Sequence, residues 1–304
     1  VSSDDAAREK RARLAVLLAA LFFSTGGAAI KATTLKGFQV ASFRSGVAAV
    51  AMLLLLPAAR ARWSLRAVVV GLAYAATMVL YVSANKLTTA ANTIFLQSSA
   101  PLYILLLSPL ILHERIRRAD LVYMGVLAIG LGSFFLGVRA PDRLAPNPLL
   151  GNVLATASGL AWALTVFGLR WIAQREPNAA GTRAVLIGNL TAFFACLPWA
   201  LPAHGATSTD WAVIVYLGVV QIGLAYFFLM RGVEHVPALE ASLLLLVEPV
   251  LNPIWAWLVH GEVPGPWALV GGVIILGATA TRTGLDFARL RARSPGARGG
   301  STTA

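Results

Sequence analysis

One carboxylate stands where a membrane has no use for an idle charge. In SLLLLVEPVLNPIWAW, Glu248 lies about halfway along an apolar run, and it is the only carboxylate near the middle of any such run in the chain. A charge at bilayer depth costs about 2.5–3.5 kcal/mol on insertion scales, so it needs a role. Three roles fit: a neutral, hydrogen-bonded structural group, a proton carrier, or a partner for a substrate ammonium. Pro249 removes a backbone donor and frees the Leu245 carbonyl, and Pro253 does the same for the carbonyl of Pro249, predicting a kink beside the carboxyl. Tyr74, Thr77 and Tyr81 recur at helical spacing and share one face. Such rings offer an apolar wall with a polar handle, and their faces can hold an ammonium group.

Covalent or metal chemistry has little to work with. All four histidines (His113, His204, His235, His260) fall at loop edges, and neither HExxH nor GxxxxGK[ST] occurs. No catalytic residue, metal site or cofactor is expected, and an intramembrane enzyme is disfavoured. The single cysteine, Cys196, cannot form an intrachain disulfide.

The elements that must position these residues follow from composition. Of 304 residues, 58% are hydrophobic and 12% charged, against roughly a quarter charged in a soluble domain. A bilayer core about 30 Å thick needs about 20 apolar residues per helix. Ten stretches qualify, at about 14–30, 40–56, 67–84, 90–112, 121–138, 149–169, 184–201, 211–230, 238–259 and 267–281. They are too long and too uniformly apolar for barrel strands, so they are helices. The net charge of +12 suggests nucleic acid only until its placement is examined. With the N-terminus inside, 19 of the 25 Lys and Arg fall on that side, leaving Lys31, Lys36, Arg44, Lys86, Arg139 and Arg143 for the other. That asymmetry puts both termini in the cytoplasm, and no basic domain remains for nucleic acid. The basic start followed by LAVLLAALFFS has signal-peptide features, but its apolar run continues past Ser24, so an uncleaved first helix is expected. Residues 283–304 are basic and Gly/Ser-rich at their end, and read as a disordered tail.

The chain also repeats itself. Adding 148 carries Pro101 onto Pro249 and Glu114 onto Glu262, and adding 147 carries Gly71 onto Gly218, Gly125 onto Gly272 and Gly130 onto Gly277. In the earlier helices an offset of 139 carries Phe23 onto Trp162, Lys31 onto Arg170 and Arg44 onto Arg183. Prolines, glycines and charges falling in one order mark a duplication. Five helices per copy is an odd number, so the copies are inverted, as in secondary transporters with a midplane site between the repeats. The boundaries are 1–13 for an N-terminal segment, 14–138 and 149–282 for the repeats, and 139–148 for the connecting loop. The fold class is therefore an all-α membrane protein, ten transmembrane helices in two inverted five-helix repeats.

The proline-to-glutamate segments (Pro101 to Glu114, Pro249 to Glu262), the glycine-spaced helices after them (MGVLAIGLG, VGGVIILGA) and the aromatic-then-basic pattern of helices one and six resemble the drug/metabolite transporter superfamily, EamA-type branch. The resemblance covers 14–281 and is nearest to bacterial exporters of aromatic and other amino acids. It implies a central cavity lined by helices one, three, four, six, eight and nine. The polar and aromatic residues midway along those spans are then substrate-binding candidates: Phe23 and Ser24; Tyr74, Thr77 and Tyr81; Gln97, Ser98 and Tyr103; Ser158 and Trp162; Gln221 and Tyr226; Glu248 and Asn252. Relatives often carry glutamate before the matching proline, so Glu248 says little about which substrate is carried. The small multidrug pumps of the superfamily depend on a first-helix carboxylate, which LAVLLAALFFSTGGAAI lacks.

The expectation is a multi-pass protein of the bacterial inner membrane, monomeric and lipid-bound, exporting amino acids and similar amphipathic metabolites, uncoupled or coupled to protons. Nucleotide-sugar or drug transport is the alternative on the same fold, and a membrane receptor or scaffold is the rival class. Trp63, Trp171, Trp199, Trp211 and Trp267 read as interfacial anchors. Gly26 with Gly27, and Gly271 with Gly272, read as close-packing points. Glu114 and Glu262 fall on opposite faces, each bonding backbone donors of its own loop, and Arg44 and Arg183 read as loop or headgroup contacts.

Overall fold

The computed structural model describes residues 3–111, 117–136, 138, 140–176 and 180–293. Glu114, His113 and the end of the tail lie outside the described residues. Among the described residues ten helices are long and apolar enough to cross a membrane: α1 (Arg8–Ala32), α2 (Gly37–Leu55), α3 (Leu65–Leu87), α4 (Ala90–Pro109), α5 (Arg118–Leu136), α6 (Pro148–Ala173), α7 (Ala180–Ala200), α8 (Ser208–Val233), α9 (Glu240–His260) and α10 (Pro266–Asp286). The helix of α1 begins already at Ser3, and that of α10 runs on to Arg293, through residues read from sequence as the start of a disordered tail. Arg282 explains part of that extension, because it pairs with Asp120 on α5 and, one turn along α10, with Asp286.

Local chemistry sets where the spans start. Ser64 caps α3 by accepting from the Ala67 amide, and Asn147 caps α6 by accepting from Leu150, with Pro148 filling the first helical position. At the start of α8, Thr207 and Asp210 form a reciprocal capping box.

Three spans are broken, and two of the breaks are related by the repeat. α4 loses helical form at Ser98 and Ser99, just before Pro101, and α9 loses it at Leu246, just before Pro249. Adding 148 to Ser98 gives Leu246. The prolines thus interrupt both copies at one register, as their missing donors require. α1 turns at Thr25, and α8 winds as a π-helix over Leu217–Leu224.

The repeats interlock by exchange. α3 packs on α6 and α7 of the second repeat, and its counterpart α8 packs on α1 and α2 of the first. α2 packs on its own counterpart α7, and α5 on α10. Each contact therefore occurs with the repeats' roles swapped, as a pseudo-twofold between inverted halves demands. Repeat-related glycines make related contacts: a Cβ on Gly71 would lie 3.0 Å from the Ala184 carbonyl of α7, and one on Gly218 would lie 2.9 Å from the Ala48 amide of α2. Small residues let these backbones close in. The five tryptophans read as anchors are all exposed.

Candidate functional site: a central cavity between the repeats

A cavity of about 300 Å³ lies between the repeats. Nine of the fourteen residues expected to meet substrate line it: Phe23, Tyr74, Tyr81, Gln97, Ser98, Trp162, Gln221, Tyr226 and Glu248. The wall is mostly ring. Tyr226 stands edge-on to Phe23, centroids 5.2 Å apart, and to Tyr74 at 6.2 Å. Gln97 donates to Ser158 at 2.9 Å, and Gln221 donates weakly to the Phe23 carbonyl at 3.4 Å while its Oε1 has no partner.

The other five candidates are not in its lining. Ser24 donates to the Leu21 carbonyl and accepts from Trp255 Nε1 at 2.9 Å. Thr77 faces Thr165 of α6 rather than the cavity, and Ser158 donates to the Thr77 carbonyl. The ring of Tyr103 lies against α6 at Gly159, and Asn252 sits behind Tyr81, donating to its hydroxyl at 3.3 Å.

Three findings revise the reading of the charges. Arg44, expected at a loop or headgroup, is 1% exposed and lines the cavity. α2 begins at Gly37, so Arg44 sits two turns inside the span and on the face toward α3 and α8. Among the described residues its Nη2 meets only the Met78 sulfur at 3.1 Å, and Nε and Nη1 have no partner. A lone arginine in the apolar run QVASFRSGVAAVA was the available signal, since charge within a span is costly and points inward. Its repeat mate Arg183 does make loop contacts, donating to the Arg62 carbonyl at 2.7 Å and pairing with Glu176. Glu248 is half-buried in the cavity wall, and among the described residues it accepts no hydrogen bond and forms no ion pair. α2 and α10 also contribute lining, through Arg44 and Thr279.

Glu262 does bond a backbone donor, but across the fold. Its Oε1 accepts the Ala90 amide at the start of α4, at 2.7 Å, and its Oε2 lies 3.3 Å from Lys31 Nζ at the end of α1. Both side chains are 3% exposed. Lys31 also donates to the carbonyls of Thr88 and Leu144, Lys86 to Thr33, and the Thr34 amide to Asp210. This network ties together the ends of α1, α3, α4 and α9. Beyond it lies a separate vestibule of about 670 Å³ lined by Lys31, Lys86 and Arg143, sharing no residue with the central cavity. In the other direction the central cavity extends to Leu229, Ser242 and Thr279, beside the arginine-rich ends marked by Arg231 and Arg282. The lining of the cavity thus reaches toward the arginine-rich side and meets the vestibule at no residue.

Ten spans in two interlocked inverted repeats, with a cavity where they meet, are the architecture found in secondary transporters. The chain belongs to the EamA-like transporter family, whose sequence profile matches residues 10–137 and again residues 149–281, one match for each repeat. It is similar to the pseudopaline exporter CntI of Pseudomonas aeruginosa, 28% identical over 275 residues that span 86% of this chain and 92% of the relative. A biotin transporter of Salmonella typhimurium is 27% identical over 143 residues, 45% of this chain and 46% of the relative. A crystal structure with 22% identity superposes with a TM-score of 0.60, covering 90% of this chain and 98% of the other, which supports the fold.

Proposed function

We propose that this protein exports amino acids, aromatic ones included, and similar amphipathic metabolites across the bacterial inner membrane by alternating access. Both termini lie in the cytoplasm, so the arginine-rich end of the cavity is the loading side. The observation that carries the substrate class is the wall itself: five rings (Phe23, Tyr74, Tyr81, Trp162, Tyr226) with one carboxylate and one guanidinium. Rings suit an apolar or aromatic side chain, and two opposite charges suit a zwitterion. Size points the same way. At about 300 Å³ the cavity lies at the small end of ligand pockets, which run roughly 300–1,000 Å³. A nucleotide sugar exceeds that space and wants several cations for its phosphates, where this lining has Arg44 alone. Export as the direction is supported by the exporter among the relatives, which matches nearly the whole chain.

The test is flux. Proteoliposomes preloaded with labelled L-phenylalanine should release it faster than protein-free vesicles, and unlabelled aromatic amino acids should compete. Vesicles that move a nucleotide sugar and no amino acid overturn the reading.

A further inference from the structure

We propose that Arg44 holds the carboxylate of the transported substrate, so that a free carboxylate, more than an ammonium, decides what is carried. The inference rests on the reading of this cavity as an amino-acid site and names the group that reads one end of the molecule.

Arg44 is a charge in a place that needs a reason. A guanidinium stays protonated in proteins and offers five N–H donors. Buried charge is tolerated when paired or hydrogen-bonded, yet Arg44, 1% exposed, has one neighbour for its donors, the Met78 thioether, a weak acceptor. Among the described residues Nε and Nη1 have none. Arginines with structural work in this fold look different. Arg60 donates to the carbonyls of Leu53 and Leu54, and Arg183 to that of Arg62. Arg44 sits instead among Tyr74, Tyr81 and Tyr226 in the cavity wall, its donors unspent.

Glu248 sharpens the argument. It is the other charged residue of the lining, and no ion pair joins it to Arg44. Two opposite charges in one small cavity that do not neutralise each other leave room for a molecule carrying both. A carboxylate against Arg44 satisfies donors that are otherwise buried and empty, and such charge-assisted bonds are about twice as strong as neutral ones. A phosphate would meet a single cation, so the carboxylate is the better match.

The experiment uses the full chain, purified in detergent, with three probes that share a phenyl ring: L-phenylalanine, 3-phenylpropionate, which lacks the amine, and phenethylamine, which lacks the carboxylate. Binding is read as ligand-dependent thermal stabilisation. L-phenylalanine and 3-phenylpropionate should stabilise the protein, and phenethylamine should bind about tenfold more weakly or worse, because it leaves Arg44 unsatisfied. Arg44→Gln should bring the three probes to within a few-fold of one another, and Arg44→Lys should keep part of the preference. The analogue order on the unmodified protein decides the matter even when Arg44→Gln does not fold. Phenethylamine binding as tightly as L-phenylalanine overturns the role of Arg44 and leaves the amino-acid reading standing. An Arg44→Gln protein that folds and keeps the order of preference does the same. Binding of none of the three overturns both.

Discussion

Breaking the Lys31–Glu262 pair should unseal the far side of the protein. The perturbation is Glu262→Gln, which keeps shape and lets the new amide oxygen accept from Ala90. It replaces Oε2, 3.3 Å from the lysine ammonium, with a donor facing a donor. Removing one partner of a buried ion pair costs about 3–5 kcal/mol, because the other charge is left uncompensated. Lys31 keeps two carbonyls, from Thr88 and Leu144, so the low end, about 3 kcal/mol, is the fair figure. At 1.4 kcal/mol per tenfold, that shifts the ratio of sealed to open forms about a hundredfold. A cysteine at Ser98, in the cavity wall, reports the shift when Cys196 is replaced by serine. An impermeant thiol reagent applied to the face carrying Asp142 and His204 should modify it much faster in the Glu262→Gln protein. Adding Lys31→Met should recover part of the lost thermal stability by removing the orphaned ammonium. Labelling rates equal to those of the parent, or destabilisation that simply adds in the double variant, would refute the latch.

Three further expectations are checked independently. Glu248→Gln should weaken L-phenylalanine binding only about two- to threefold at every pH, less than the loss of the carboxylate does, while leaving 3-phenylpropionate unchanged. Loss of the transport response to an imposed pH gradient with unaltered affinity would assign it to proton coupling instead. Gly188→Ala should cost about 1–3 kcal/mol of stability and slow transport, because overpacking is destabilising. The added methyl would lie 2.5 Å from the Tyr74 ring and 2.7 Å from the Gly71 carbonyl, and unchanged melting and flux would show that α3 and α7 separate freely. For orientation, single cysteines near Asp142 and His204 on the Cys196→Ser background should label from outside intact cells, and labelling near Arg62 or Gln174 would reverse the topology.

The sequence by itself determined the spans and the duplication, because each is written in local terms, while the ring-rich wall was placed by the family resemblance. Hydropathy marks a helix wherever about 20 apolar residues run together. Proline breaks a helix wherever it stands, so the matched interruptions before Pro101 and Pro249 were legible from an offset. Tyr74 and Tyr81 share a face because seven residues make two turns. The tertiary structure decided which polar groups are spent and which are left over. Thr77 has the same spacing credentials as its neighbours, yet its hydroxyl meets Thr165, 88 residues away. Glu262 finds Lys31 231 positions back in the chain, a pairing that neither loop announces. Arg44 looked like a loop or headgroup contact because the sequence places it near the start of the second span. Its depth and rotation follow from where α2 starts and from its packing on α7 and α8. A side chain's type is fixed by the gene, but whether its donors are already taken depends on helices brought together from distant parts of the chain.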